Sequence, residues 1–256
     1  MNKAKILVLD CGGSLFKTLE YPSFKKNFYN DINEIKLDGF SKIILTGGRS
    51  HLFKFKKKVD SIDLSKNEIY NIGIGSSFLS GESDCLVVSI GTGTPIIKVS
   101  NKKVEHIGGT GLGAGTIYGM SQYVCQSATI EKINALAKNG NLNNVNLTVG
   151  DIYQFQNQIS IPLDATAGNF AKLNHKSSMS DTILGLMNMV GESIGSLSCA
   201  LNKSNNKIVI VGGGLFYPKF IESLQQTIHF YGHNSIALKD GIFAGCYGAL
   251  NNVINL

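Results

Sequence analysis

The sequence predicts an α/β protein in which two lobes share a cleft. Short apolar runs typical of buried strands alternate with helical patterns, several of these runs end in glycine clusters, and no low-complexity linker divides the 256 residues. A chain of this length can bury a substantial core. We expect an N-terminal lobe over residues 1–80 and a C-terminal lobe over residues 81–240. A last helix at about 241–256 is expected to pack back on the N-terminal lobe.

Composition limits the class of function. Hydrophobic residues make up 43% of the chain and charged residues 16%, as in a globular protein. No apolar run reaches the length of a membrane span, and five scattered cysteines without a CxxC pair are typical of reduced thiols. We therefore expect a cytoplasmic protein without membrane contact.

The net charge of +6 suits an anionic substrate such as ATP. It would also suit weak attraction to nucleic acid, but no nucleic-acid motif accompanies the dense basic run at residues 54–58. A solvated helix face explains this run better. We therefore expect no nucleic-acid partner.

The first glycine cluster, DCGGSLFK at residues 10–17, follows a predicted strand at residues 5–9. We interpret it as a phosphate-binding turn. Asp10 would hold Mg²⁺ directly or through water, Gly12, Gly13 and Ser14 would face phosphate oxygens, and Lys17 would neutralise the transferred charge. An ordinary hairpin turn would explain the glycines but not the acid and the lysine together.

The densest cluster, GGTGLGAG at residues 108–115, leads into a predicted helix. Bare backbone can approach a phosphate closely, and the start of a helix adds the positive end of its dipole. The alternative is a tight loop between a strand and a close-packed helix. A predicted β-meander over residues 85–107 carries a second turn of this kind, SIGTGT (89–94), and leads to this loop.

The C-terminal half is predicted to be mainly helical. A helix is expected over residues 130–137, and a long one with Asp181 as its N-cap runs to about Lys203. Glycines inside the long helix suggest close approach to a neighbouring helix or to a nucleotide. A strand over 208–211 ends in VGGG, and a helix begins at about Pro218. The stretch GIGSS (73–77) has no clear function from sequence.

Nine stretches of the chain, in this order, resemble the type II pantothenate kinases of the actin-like ATPase and sugar-kinase superfamily. They are DCGGSLFK (10–17), LTGG (45–48), SIGTGT (89–94), HIGGTGLGAGTIYG (106–119), DIY (151–153), ATAGNF (165–170), VGESIG (190–195), VGGG (211–214) and GIFAGCYGAL (241–250). The resemblance covers nearly the whole chain. It implies two related lobes of ribonuclease H-like fold, with mixed sheets flanked by helices, that close over ATP.

The resemblance also implies Mg²⁺-dependent transfer of the ATP γ-phosphate to the primary hydroxyl of pantothenate, the first step of coenzyme A synthesis, by a homodimer. In such transfer a carboxylate takes the hydroxyl proton while magnesium, a lysine and backbone amides stabilise the transition state. Carried over to this chain, the phosphate and nucleotide residues are Asp10, Gly12, Gly13, Ser14, Lys17, Gly91, Thr92, Gly93, Gly109, Thr110, Gly111, Gly113, Gly115, Gly212, Gly213 and Gly214.

Three positions on the acceptor side depart from the family pattern. The family's catalytic glutamate aligns with Asn71, which cannot take a proton at neutral pH; the nearest carboxylate is Glu68. The family's pantothenate-contacting arginine is His106, and the hydroxyl residue that closes the second turn is Pro95. Three functions therefore stay open: a pantothenate kinase with Glu68 as base, a kinase for a different small hydroxylated acceptor, and a catalytically weak regulator that binds nucleotide or coenzyme A.

Overall fold

The computed structural model describes residues 5–13, 15–50, 62–64, 67–153 and 161–254. Within these ranges the chain forms two five-stranded mixed sheets flanked by helices, which confirms the predicted α/β class. The basic run at residues 54–58 lies outside the described residues.

The first sheet is formed by β1 (Ile6–Cys11), β2 (Phe16–Tyr21), β3 (Lys26–Tyr29), β4 (Lys42–Thr46) and β5 (Ile62–Leu64). Its strand order is β3-β2-β1-β4-β5. Strand β2 pairs antiparallel with both β1 and β3, whereas β4 pairs parallel with both β1 and β5. Every residue of β1 is buried because both faces of this central strand are covered.

The second sheet is formed by β6 (Asp84–Ser89), β7 (Thr94–Ser100), β8 (Lys103–Thr110), β11 (Lys207–Val211) and β12 (Ser235–Ala237). A separate ribbon contains β9 (Leu147–Thr148) and β10 (Thr166–Gly168). The order β8-β7-β6-β11-β12 repeats the arrangement of the first sheet, including its antiparallel and parallel pairs. The glycine turns at residues 11–16 and 89–94 therefore occupy equivalent places, each between the first two strands of its sheet.

The helices are α1 (Glu68–Ser80), α2 (Ala114–Cys125), α3 (Ile130–Lys138), α4 (Val149–Ile152), α5 (Met179–Leu201), α6 (Pro218–Phe230) and α7 (Ala244–Ile254). The prediction that Asp181 caps the long helix is wrong. The cap is Ser178, whose hydroxyl accepts the N–H of Asp181. Asp181 lies in the first turn, where its carboxylate accepts the backbone N–H of Asn141 (2.7 Å) and the side-chain amide of Asn144 (3.0 Å).

By length and composition alone, α5 is apolar enough to cross a membrane, contrary to the expectation from sequence. However, 56% of its most apolar window is buried inside the protein, as in the core helix of a globular domain. Its glycines allow α6 to approach. A Cβ at Gly191 would lie 2.8 Å from the Ser223 hydroxyl, and one at Gly195 would lie 2.8 Å from the Thr227 side chain.

Helices α1 and α7 join the two sheets. Helix α7 contributes to the apolar core of the first sheet, whereas apolar residues of α1 pack with those of the second sheet. Where the two helices cross, a Cβ at Gly75 would collide with the backbone of Ala244, and one at Gly248 would collide with the carbonyl of Asn71. The stretch 73–77 is therefore a helix contact. The lobe boundary between residues 80 and 81 stays a prediction.

This crossing predicts that a side chain at Gly248 lowers the stability of the protein. We expect Gly248→Ala to lower the free energy of unfolding by about 1–3 kcal/mol, because the new methyl group meets backbone that cannot rotate away. The control is Gly119→Ala, at an exposed position of α2 with nothing within 4 Å. It should be neutral or stabilising by up to about 1 kcal/mol. Urea unfolding of both variants is the measurement; equal stability of Gly248→Ala and the wild type would contradict the crossing.

Candidate active site

A cleft of about 1220 Å³ brings together residues from both sheets and from both predicted phosphate turns. The predicted site residues that line it are Asp10, Gly12, Gly13, Lys17, Glu68, Gly91, Thr92, Gly93, Pro95, His106, Gly109, Thr110, Gly111, Gly115, Gly212 and Gly213. Gly113, Gly214 and Asn71 do not line it. Ser14 lies outside the described residues.

Asp10 and Lys17 form an ion pair at the centre of the first turn. They are register partners in the β1–β2 hairpin, and the distance from Lys17 Nζ to Asp10 Oδ2 is 2.7 Å. Burial would lower the pKa of Lys17, but the charge of Asp10 and the hydrogen bond to it outweigh this effect and raise that pKa. Lys17 therefore stays protonated beside the cleft. The hairpin register explains why an acid and a lysine seven residues apart meet.

The turn after β4 touches two carboxylates of the cleft, those of Asp10 and Glu68. Gly47 has φ +90° and packs so closely on Asp10 that a Cβ would collide with the Asp10 carboxylate, so only glycine fits. The backbone N–H of the next residue, Gly48, donates a hydrogen bond to the carboxylate of Glu68. This two-glycine turn thus holds Asp10 and Glu68 at fixed positions.

Arg49, the next residue, is a cleft residue that the sequence interpretation did not select. Its Nη1 donates to the carbonyl of Gly13 over 2.8 Å, and its guanidinium lies 5.9 Å from the centre of the Phe16 ring. Its backbone N–H donates to the carbonyl of Cys11 over 3.0 Å. The side chain is exposed and lines the cleft. The available signal in the sequence was its position directly after LTGG.

Glu68 is the first residue of α1 and lines the cleft. The preceding residue, Asn67, caps the helix by accepting the N–H of Tyr70 (2.8 Å), which starts α1 at this point. Although Glu68 remains accessible, the cleft walls remove part of its hydration. This desolvation raises the pKa of Glu68, the negative charge of Asp10 raises it further, and Lys17 and the Gly48 N–H oppose the rise. A carboxylate with a raised pKa in a cleft suits a general base.

The structure differs from the alignment that assigned the acceptor-side position to Asn71. The Asn71 side chain is fully buried; it donates to the Thr46 hydroxyl (2.7 Å) and accepts from Asn252 (2.9 Å). Because α1 begins at Glu68, Asn71 lies almost one turn further along, against α7. It holds helices together, and the carboxylate nearest to Asp10 and Lys17 is that of Glu68.

The glycine loop at residues 108–115 contains glycines of two kinds. Some allow close packing of α2, and others leave backbone open to the cleft. A Cβ at Gly113 would lie 2.8 Å from the carbonyl oxygens of Gly91 and Thr92, and one at Gly115 would lie 2.8 Å from Thr92. These two glycines allow α2 to pack on the second turn. Gly111, in contrast, has nothing within 4 Å and faces the cleft. The preceding glycines at 108 and 109 belong to β8 rather than to the loop.

On the nucleotide side, the turn after β11 also contains one packing glycine. Gly214 is buried and donates its N–H to the carbonyl of Ile90 over 2.8 Å, while Gly212 and Gly213 line the cleft. Cleft residues that the sequence interpretation missed here include Tyr118, Glu131, Phe216, Tyr217 and Ile242. Burial raises the pKa of Tyr217 to about 12, so it stays a neutral phenol. These residues meet only through long-range packing, which short motifs do not reveal.

On the acceptor side, Pro95 and His106 line the cleft together with two apolar residues of α1, Ile69 and Ile72. His106 lies two residues along β8 from Val104, whose side chain packs on α1 at Gly73. Alternate residues of a strand share a face, so His106 faces the same side as α1. This end of the cleft therefore combines apolar walls with the side chains of Glu68 and His106.

The predicted magnesium site depends on the carboxylates of the cleft. Among the described parts of the chain, no group of three or more His, Cys, Asp or Glu side chains could hold a metal ion alone. Mg²⁺ is commonly held by one or two carboxylates together with water and phosphate oxygens of the substrate. Asp10, a carboxylate at the centre of the first turn and on the wall of the cleft, fits that pattern.

The chain is similar over most of its length to proteins of one family. The Fumble family model matches residues 39–252. One type II pantothenate kinase from Bacillus cereus is 30% identical over 267 residues, which cover 94% of this chain and 96% of that protein. Another, from Staphylococcus haemolyticus, is 24% identical and covers 94% of this chain and 97% of that protein.

Solved structures confirm the actin-like ATPase fold. The activator of 2-hydroxyisocaproyl-CoA dehydratase from Clostridium difficile, solved with bound ADPNP, has a TM-score of 0.65 at 13% identity and covers 96% of this chain and 92% of its own. A ROK hexokinase from Thermus thermophilus has a TM-score of 0.53 at 14% identity, with 96% of both chains covered. At these identities the likeness concerns the fold alone.

The raised pKa of Glu68 predicts a gain in stability when its charge is removed. A carboxyl whose pKa is higher in the folded than in the unfolded protein destabilises the fold above that folded pKa, and the effect vanishes below the unfolded pKa. We expect Glu68→Gln to raise the melting temperature at pH 7, and the difference from wild type to shrink as the pH falls toward about 4. Glu105→Gln, at an exposed strand position, is the control. A lower melting temperature for Glu68→Gln would contradict the prediction.

Proposed function

Because this chain belongs to the Fumble family, of the type II pantothenate kinases, we propose that it transfers the γ-phosphate of ATP to the primary hydroxyl of pantothenate. The observation that carries the proposal is the position of Glu68 beside Asp10 and Lys17 in the cleft. The absence of a carboxylate at Asn71 was the reason to consider an inactive protein, and the position of Glu68 in the cleft supports an active one.

In this proposal Glu68 accepts the proton of the substrate hydroxyl. The hydroxyl oxygen then forms a bond to the γ-phosphorus while the bond from that phosphorus to the β–γ bridging oxygen breaks. The electron pair leaves with ADP, so atoms and charge balance. The raised pKa of Glu68 makes its carboxylate a stronger base than an ordinary glutamate.

The remaining groups position the phosphates and neutralise charge. Lys17 offers a protonated amine, and the backbone at Gly12, Gly91 and Gly111 leaves room for close approach. Asp10 is the side chain that would hold Mg²⁺, directly or through water, and the ion would shield the phosphate charge when bound. Phe216 and Tyr217 offer apolar surface to a base at the other end of the cleft.

A different small hydroxylated acceptor is the second candidate, and the acceptor end of the cleft favours it. There His106 offers a shorter and mostly neutral side chain in place of the family's arginine, and Pro95 offers no hydroxyl. A regulator that binds nucleotide or coenzyme A without turnover is the third candidate. An acceptor screen separates the three, since only the first two release ADP.

We also propose that the protein is a cytoplasmic homodimer. The long helix α5 is mostly enclosed by its own chain and offers little surface to a partner. Exposed apolar side chains on α2 offer a better surface: Met120 is 49% exposed and Tyr123 is 84% exposed. Light scattering on the purified protein tests the dimer, and a monomer at micromolar concentration would contradict it.

The function itself predicts acceptor-stimulated turnover. We expect purified protein with Mg-ATP to release ADP faster when pantothenate is added, because the hydroxyl supplies the nucleophile that Glu68 activates. Coupled-enzyme detection of ADP is the measurement, with calorimetric ATP binding alongside. ATP binding without stimulation by pantothenate, but with stimulation by another hydroxylated compound, would replace the first candidate by the second.

The site assignment predicts different losses for its two central side chains. Glu68→Gln should lower kcat by about 10²–10⁴-fold while the nucleotide Kd stays within about twofold, because only the proton acceptor is lost. Lys17→Ala should lower kcat by about 10²-fold or more through lost charge neutralisation. Wild-type kcat/KM should fall as the pH drops through the raised pKa of Glu68. An unchanged rate in either variant, against Glu105→Gln as control, would overturn the assignment.

A further inference from the structure

The side chain of Arg49 stands out in the composition of the chain. Of the 24 lysines and arginines in the sequence, Arg49 is the single arginine. Every other basic position, including Lys17 in the same cleft, is a lysine. If position 49 needed only a positive charge, we would expect a lysine there, as at the other positions. The arginine therefore points to a role that depends on the guanidinium group.

Arg49 lies between the base and the phosphate turn. Its neighbour Gly48 donates a hydrogen bond to Glu68, and its own guanidinium donates to the carbonyl of Gly13 over 2.8 Å. In the proposed reaction the acceptor hydroxyl meets Glu68 and the nucleotide phosphates meet the turn at Gly13. The group that passes from one to the other is the terminal phosphoryl group, and Arg49 reaches the path between them.

The guanidinium is held in place but largely unused. A guanidinium has five N–H donors in a rigid plane, and the contact with Gly13 occupies one of them. The Cζ atom of Arg49 lies over the Phe16 ring, 5.9 Å from the ring centre, which adds a cation–π contact. No carboxylate in the described part of the chain forms an ion pair with it. The side chain is exposed and lines the cleft, so its remaining donors are accessible to a ligand there.

The balance of charge also favours an anion at this point. At the phosphate end of the cleft, Asp10 and Glu68 carry two negative charges and Lys17 offsets one, committed to Asp10 at 2.7 Å. Arg49 supplies a positive charge at this end that no described carboxylate neutralises. An ammonium group can place a point charge there, whereas a guanidinium can bind two phosphate oxygens at once while keeping its contact with Gly13.

We infer that Arg49 binds the terminal phosphoryl group of the nucleoside triphosphate through two of its N–H donors. The inference rests on the proposed function, because it assigns a role within that same site. It makes Arg49 a discriminator between triphosphate and diphosphate, since ADP lacks the group that Arg49 contacts. It also means that lysine, although it carries the same charge, cannot replace Arg49.

The test compares Arg49→Lys and Arg49→Ala with wild type by calorimetry, using Mg-ADP and a Mg-bound non-hydrolysable ATP analogue as the two probes. We expect both variants to bind the ATP analogue about 10- to 100-fold more weakly while ADP affinity stays within about twofold. Lys203→Ala, at an exposed position after α5, removes one surface charge far from the cleft and is the matched control. Because Arg49 is exposed, the variants should fold, which melting curves verify.

Each other outcome overturns a specific statement. Equal losses for ADP and the ATP analogue would mean that Arg49 only positions the Gly13 turn. An Arg49→Lys variant with wild-type affinity would mean that charge alone suffices. Unchanged affinity in Arg49→Ala, with wild type still binding the ATP analogue, would end this inference and leave the proposed function intact. A wild-type protein that binds neither nucleotide would instead end the proposed function.

Discussion

The close crossing of α1 and α7 is the contact on which the cleft depends. It requires two helix backbones to meet where Gly75 and Gly248 have no side chains. Both helices begin at the cleft: α1 with Glu68, and α7 next to Gly245, where a Cβ would lie 3.4 Å from the Asp10 carboxylate. The same crossing therefore joins the sheets and directs the positive ends of two helix dipoles toward the buried acid.

The turn at residues 46–49 extends this arrangement to the rest of the site. Its four residues contact, in order, Asn71, Asp10, Glu68 and Gly13. The contacts comprise three hydrogen bonds and one close approach that only glycine allows. A single short loop thus connects the helix crossing, the ion pair, the carboxylate next to the cleft and the phosphate turn. Such a chain of contacts explains why the polar groups of the cleft keep fixed positions while much of its lining is bare backbone.

Sequence reasoning predicted those features of the structure that depend on neighbouring residues. The meander, the central strands and most helix starts follow from local apolar patterns and turn residues. It misjudged features that depend on capping or on distant contacts. Asp181 is as good a cap by composition as Ser178, and the choice between them follows from the partners of Asp181 around residue 141. Likewise, Asn71 is buried against α7 while Glu68 lines the cleft, because α1 begins at Glu68 after the Asn67 cap, a detail that the motif alignment did not include.

The position of α7 has a consequence for the order in which the chain can fold during synthesis. The strands of the first sheet are made first, but the apolar face that contains Ile6, Val8 and Ile44 is covered by residues from about 243 onward. Some two hundred residues are translated before that partner exists, so the N-terminal sheet emerges from the ribosome with one face bare. Because the contacts between this sheet and α7 join residues far apart in sequence, they form late. Late formation slows folding and exposes the nascent sheet to aggregation.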